Sequence, residues 1–199
     1  MEIAEDKASE SSQALVEVVQ PIAHSLAEYL ELTKVNQRIS IYCHYEGEFR
    51  ILSREAKRAD YRKFRRIQYP DGQGIIGRIW RDGDKTFQIG KDQDWLTWTK
   101  SFGFEEADAL ALPMKSVSFC GVRLEHNKER VGVVLIESTA KRGANGTHLE
   151  KLQSSMIVKS LAGLLYVAAP YFPEEPVGVD YIEAELGIRP QPSEPAEVL

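Results

Sequence analysis

Cys43 and Cys120 are the only thiols in the 199-residue chain, and they form neither a CxxC pair nor a Cys/His cluster with zinc-site spacing. Thiol redox chemistry needs a low-pKa thiolate and a resolving partner. Neither cysteine has a neighbouring cysteine or a Gly/Cys-rich lid segment. Two cysteines at this density do not make a disulfide framework, which points to a reducing, cytoplasmic setting. The four histidines, His24, His44, His126 and His148, are scattered and read as surface residues, and no Ser-His-Asp arrangement presents itself. Glu105 and Glu106 are adjacent, so in a strand they would face opposite ways, which is poor for acid–base work. No catalytic or metal-binding residue is assigned, and the chain is expected not to be an enzyme.

Binding chemistry is better represented. Trp95, Trp98, Phe102 and Phe104 crowd the segment 92–104, which Gly103 breaks. Such aromatics either cover a core or wall a pocket for a planar ligand. The candidate walls are Phe87, Trp95, Trp98, Phe104 and Leu110, with Asp108 or Glu137 to orient a polar group. A second candidate is basic: Arg54, Lys57, Arg58, Arg62, Lys63, Arg65 and Arg66 fall within thirteen residues, with Tyr61 and Phe64 interleaved. The segment reads either as a solvated helix or loop, or as an anion- or partner-binding surface built from Arg58, Arg62, Lys63, Arg65 and Arg66. The acidic tail, from Glu174 to Glu197, is one possible partner within the chain. A net charge of −5 gives nucleic-acid binding no support.

The glycines of Gly72-Gln73-Gly74-Ile75-Ile76-Gly77 suggest a phosphate cradle at first sight. A dinucleotide site needs them straight after the first strand. Two strands and the basic segment precede them, so they are expected to turn the chain into a short helix packed tightly on a sheet.

These residues must be positioned by a sheet with helices at both ends. Leu15, Val19, Ile22, Leu26 and Tyr29 mark a helix from about Ser9 to Thr33, with Pro21 expected to bend or divide it. Its stripe is too short to stand alone, and must pack on the domain or on the same helix of a second subunit. Residues 38–45 alternate: Ile39, Ile41, Cys43 and Tyr45 face one way, and Arg38, Ser40, Tyr42 and His44 the other. With 48–54 they predict a hairpin with one buried face. A short helix at 75–80, a short strand at 86–89 and a strand at 109–114 follow. A second hairpin pairs 119–125 with 131–138, whose nearly continuous apolar run belongs in the sheet centre. Thr147 and Glu150 fit a capping box for a last long helix, with Leu149, Leu152, Met156, Leu161 and Leu164 on its apolar side. The same Asn145-Gly146-Thr147 matches a glycosylation sequon, which a reducing compartment leaves unused.

The length suits one domain with appendages: an amphipathic helix over 1–34, a globular unit over 35–169, and a Pro/Glu-rich tail over 170–199. No stretch reaches ~18 apolar residues, so no membrane span is expected. The acidic start is unlike a signal peptide, and the chain reads as a possible fragment of a larger, even membrane-anchored, protein.

In order along the chain, the Gly72–Gly77 turn, the Leu110-Ala111-Leu112-Pro113-Met114 segment and the Val131-Gly132-Val133-Val134-Leu135-Ile136-Glu137-Ser138 strand resemble a GAF domain over roughly 15–168. The related PAS fold fits the glycine turn and final hairpin less well. The resemblance implies an α+β fold: a central antiparallel sheet of about six strands, N- and C-terminal helices on one face, and a pocket at the other. It implies a non-catalytic sensory or regulatory module, homodimeric through its terminal helices or acting on a partner protein. The ligand is unknown, with a nucleotide or other small planar molecule as candidate. Lys100, Phe104 and Asp108 match part of the signature of nucleotide-binding GAF domains, without its Asn and with Ala109 in place of its last acidic residue. GAF-type reduction of free methionine sulfoxide is the enzymatic alternative. The Cys43-His44 pair is similar to that of tetrapyrrole-binding members, but it lies in a strand, so a bilin adduct is not expected. The polar stretch 115–121, the basic block and the tail depart from the family pattern.

Overall fold

The computed structural model describes residues 2–64, 66 and 68–169, the first twelve of these as backbone only. Arg65 and the tail from residue 170 lie outside the described residues.

Six strands form one sheet: β1 (Gln37–Tyr45), β2 (Glu48–Ala56), β3 (Gln68–Pro70), β4 (Lys85–Gln88), β5 (Ser118–His126) and β6 (Glu129–Ser138). Their order is β3-β2-β1-β6-β5-β4, and every neighbouring pair is antiparallel. Two tight turns set the register. Glu46 and Gly47 join β1 to β2, and Asn127 and Lys128 join β5 to β6. All four have positive φ, as the mirror-image turns favoured by right-twisted hairpins require. The apolar run 131–136 lies in the interior strand β6, as its pattern predicts.

One face of the sheet is covered by α1 (Glu2–Tyr29), α6 (Gly146–Ser154) and α7 (Met156–Ala168). α1 buries Leu15, Val19, Ala23 and Leu26, and the turn after it Leu30, against Ile39, Ile41, Cys43 and Leu52. The stripe therefore packs on the domain itself. It runs through Ala23 and Leu30, with Ile22 half-buried and Tyr29 exposed. α1 passes through Pro21 undivided. Pro21 is exposed, and Gln20 Oε1 accepts a bond from Ser53 Oγ at 2.7 Å, tying that turn to β2.

The short α2 (Ala59–Arg62) follows β2, and the opposite face carries α3 (Gly74–Asp82), α4 (Trp95–Lys100) and the loops around them. Tyr42, Phe49, Ile51, Val133 and Leu135 pack there on Ile75, Ile76, Ile79 and Trp98. The β1–β2 hairpin is therefore buried on both faces, where the sequence predicts one.

Four local expectations are corrected. Residues 109–114 are not a strand: α5 (Glu106–Ala111) ends there. Glu106 and Asp108 in its first turn suit the positive helix end, alanines propagate it, and Pro113 prevents its continuation. The C-terminal helix is not continuous. Ser155 is extended (φ −69°, ψ 125°), and its Oγ accepts from Val158 N at 3.4 Å, ending α6 and capping α7. Met156, expected on the apolar side, is exposed, and Val158 and Leu165 take its place. The cap of α6 is Asn145, whose Oδ1 accepts from His148 N at 3.2 Å, and Thr147 already lies inside the helix.

Candidate functional site

The face of the sheet opposite the terminal helices holds a chamber roofed by aromatic residues. Its roof begins at Asp94, whose carboxylate accepts from Thr97 N at 2.8 Å and so starts α4 after a polar loop. α4 directs Trp95, Trp98 and Thr99 at the sheet, and Phe102 and Phe104 follow on the loop after it. Trp95 Nε1 donates to Ser116 O at 3.1 Å, and Trp98 meets Phe102 edge-on at 5.2 Å between centroids. The glycine turn anchors the roof. Gly74, at φ +75°, donates its N–H to Phe102 O at 2.7 Å, and Gln73 Nε2 donates to Gly103 O at 3.1 Å. The amides of Gln73 and Gly74 are thus bonded within the protein's own chain. The carbonyl of Asp71 occupies the space where a Cβ on Gly77 would lie, which is why the helix can start so close to the turn.

The floor comes from β1 and β6, where Arg38 and Glu137 are cross-strand partners. Arg38 Nε donates to Glu137 Oε2 at 2.6 Å and Nη2 to Oε1 at 3.1 Å. Ser116 Oγ adds a bond to Oε1 at 3.3 Å. Burial pushes the Glu137 carboxyl up, but Arg38, Arg54 and Ser116 outweigh it and hold the group below its ordinary range. Burial likewise opposes the charge on Arg38, and Glu137 more than restores it. Tyr42 lies beside the pair, its phenol pushed up to about 12 chiefly by burial. The chamber is partly open to solvent and has a volume of about 70 Å³, well under the roughly 300 Å³ at which drug-sized pockets begin.

Of the sequence-predicted walls, Trp95, Trp98, Phe104 and Glu137 come together in this chamber. Phe87 stands outside its lining, edge-on to Phe102 at 6.0 Å. Asp108 and Leu110 are exposed on α5 and do not line it: Leu110 belongs to the strand expected at 109–114, which is helical as far as Ala111, and Asp108 lies in the first turn of the same helix. Leu112 and Met114, just beyond, reach the chamber instead. Lys100 and Asp108, two members of the partial nucleotide signature, point away: Lys100 pairs with Glu106 at 3.0 Å on the surface, and Asp108 is exposed.

Sequence reasoning missed Arg38, Tyr42, Tyr69 and Ser116. The signal was the polar face of 38–44, read as facing solvent; an arginine placed opposite a glutamate across two central strands is the feature that marks it as buried.

The basic segment is largely occupied locally. Arg58 pairs with Asp60 at 3.6 Å and stacks on Tyr61. Arg62 donates to Ala56 O at 2.5 Å and pairs with Glu55 at 3.2 Å. Arg66 donates to Gln68 O at 2.7 Å and to Gln73 Oε1, and lies over Tyr69. Lys63 is exposed, its carbonyl accepting from Arg54. Arg65 lies outside the described residues.

Both thiols are buried in the helix-side core, on the far face of the sheet from the chamber. Burial pushes each up to about 12. Among the histidines only His24 is exposed. His44 is half-buried, stacked on Trp80 at 4.1 Å with Nε2 at 2.5 Å from Asp71 Oδ1. His126 lies against Tyr166, and His148 is lowered by burial. Among the described residues no three His, Cys, Asp or Glu side chains gather as a metal site. No helix among them is long and apolar enough to cross a membrane.

No protein-family model matches the sequence, and no curated protein matches it either. Solved structures do match. A type II free methionine-R-sulfoxide reductase from Thermoplasma acidophilum superposes with a TM-score of 0.54 at 15% identity, over 81% of this chain and 96% of that one. The GAF domain of an Acinetobacter phosphoenolpyruvate-protein phosphotransferase gives 0.53 at 12% identity, over 83% and 94%. The GAF domain of a two-component sensor histidine kinase from Bacillus halodurans gives 0.53 at 17% identity, over 77% and 97%. The chain has the GAF fold, which sensory domains and sulfoxide reductases share.

Proposed function

We propose that this GAF-fold chain is a non-catalytic regulatory module that holds a small molecule in its aromatic chamber and relays occupancy to a partner or linked protein. The observation that carries the reading is the chamber itself: aromatic walls over a buried Arg38–Glu137 floor, on the face of the sheet opposite the terminal helices. Its lining offers no thiol and no histidine. A carboxylate held below its ordinary range, as Glu137 is, makes a weak general base near neutral pH. The alternative, reduction of free methionine sulfoxide, requires an accessible thiolate beside the pocket, and both thiols lie across the sheet from it.

A fragment set titrated into isotopically labelled protein tests the reading. Binders that shift the Trp98, Thr99 and Phe102 resonances support it; a saturating set that shifts none of them removes it. Turnover of free methionine sulfoxide with a thiol reductant would overturn the non-catalytic half.

The reading includes a homodimer through the terminal helices, supported by exposed Val18 on α1 and Met156 and Val167 on α7. Removing α1 is not a clean test, because its buried stripe belongs to the core. Val18→Glu with Val167→Glu is expected to reduce a dimeric solution mass to that of a monomer; an unchanged dimer mass rejects this interface. The reading also includes a cytoplasmic setting, which two unpaired buried cysteines suit.

A further inference from the structure

The charges buried around the chamber do not balance. Arg38, Arg54 and Glu137 are 6%, 3% and 6% exposed. Arg54 spends its donors on neutral acceptors: Ser40 Oγ at 2.9 Å, Lys63 O at 3.2 Å and the Tyr42 hydroxyl at 3.3 Å. Glu137 is the only carboxylate lining the chamber among the described residues, and Arg38 and Ser116 already occupy it. Arg38 keeps one further donor, Nη1, buried without a partner. Two guanidinium groups therefore share one carboxylate, leaving a net positive charge and an unused N–H away from water, both of which are costly unless compensated.

The walls alone suggest a different ligand. A cluster of tryptophan and phenylalanine rings is the usual cage for a cation. The floor decides against it, since a positive floor in a low-dielectric cavity repels a cation and attracts an anion. The volume of about 70 Å³ is under half the roughly 150 Å³ that takes up a whole benzene, so the cavity holds the anionic group and a few carbons, and a one-ring ligand leaves part of its body at the open mouth.

Taking the small-molecule reading above as its basis, we infer that the chamber selects a compact monocarboxylate, its anionic group supplying the missing counter-charge at Arg38 and its body lying against Trp98, Phe104 and Met114. Arg38 is then both a strut of the sheet and the ligand anchor.

Three probes of one shape and different charge test this on the full chain: benzoate, benzamide and benzamidine, each titrated at constant ionic strength and followed by melting temperature and the Trp98 resonances. Benzoate is expected to bind saturably and at least 10-fold more tightly than the other two. Equal binding of benzamide overturns the anion class while leaving a small-molecule pocket in place. Tighter binding of benzamidine overturns it in favour of a cation cage. Binding by none of the three overturns it at this ligand size, and the fragment titration then judges the wider reading separately. Arg38→Gln with Glu137→Gln removes both charges together, so no lone buried ion remains. That folded variant is expected to lose most of the preference for benzoate over benzamide; retention of the full preference rejects Arg38 as the anchor.

Discussion

Arg38 on β1 and Glu137 on β6 are register partners, and their side chains close a two-point contact at 2.6 and 3.1 Å inside the sheet's buried face. Removing one partner leaves the other charged in an apolar site. Arg38→Ala is expected to cost about 3–5 kcal/mol, and the double glutamine variant much less. Glu137 is held below its ordinary value of 4.5, so the unfolded chain takes up its proton first as pH falls. The pair's contribution is complete above that value and is lost as pH falls through the lower folded one. Urea unfolding of the wild type and the double variant between neutral and acid pH measures this: the acid loss should be shallower in the variant.

The thiols should be inert in the native protein. Cys43 and Cys120 are both pushed up to about 12 by burial, and the thiolate is the reactive form. A thiol-titrating disulfide reagent at mildly alkaline pH is expected to label neither in the folded chain and both in denaturant. Rapid labelling of one in the folded chain would contradict the burial and reopen redox chemistry.

The start of α6 separates two adjacent residues by role. Asn145→Ala removes the bond from His148 N and should cost about 1 kcal/mol. Thr147→Ala, at an exposed position inside the helix, should change stability by less than about 0.5 kcal/mol. Denaturant midpoints of the two variants decide between Asn145 and the Thr147–Glu150 capping box.

Gly77→Ala should destabilise the domain by about 1–3 kcal/mol, because the new methyl meets the Asp71 carbonyl. Gly72→Ala, with open space at its Cβ, should cost less. If the two variants melt together, the turn does not approach the helix as described.

Much of the fold could be read from pattern. The alternation of residues 38–45 places Ile39, Ile41 and Cys43 on the helix-side core, and the apolar run 131–136 marks an interior strand. What could not be read was set by tertiary partners. Apolar residues at 110, 112 and 114 alternate as a strand would, but alanines and acidic residues made 106–111 helical, and with that change Asp108 and Leu110 left the chamber. Arg38 and Tyr42 looked solvent-facing because nothing local showed that the segment 95–104 folds back over them. The aromatic half of the chamber was legible because bulk clusters in sequence; its charged floor was not, because Arg38 and Glu137 stand ninety-nine residues apart.

β6 is paired along both edges, by β1 and β5, and its consecutive residues Val133, Val134, Leu135 and Ile136 are shut away on alternate sides. Its amides thus have no cheap route to deuterium, and their exchange should keep time with unfolding of the whole molecule. The short α4 buries only Trp98 and Thr99, so its amides should exchange faster, by local opening. Comparing the two rates would separate a roof that lifts from a domain that melts.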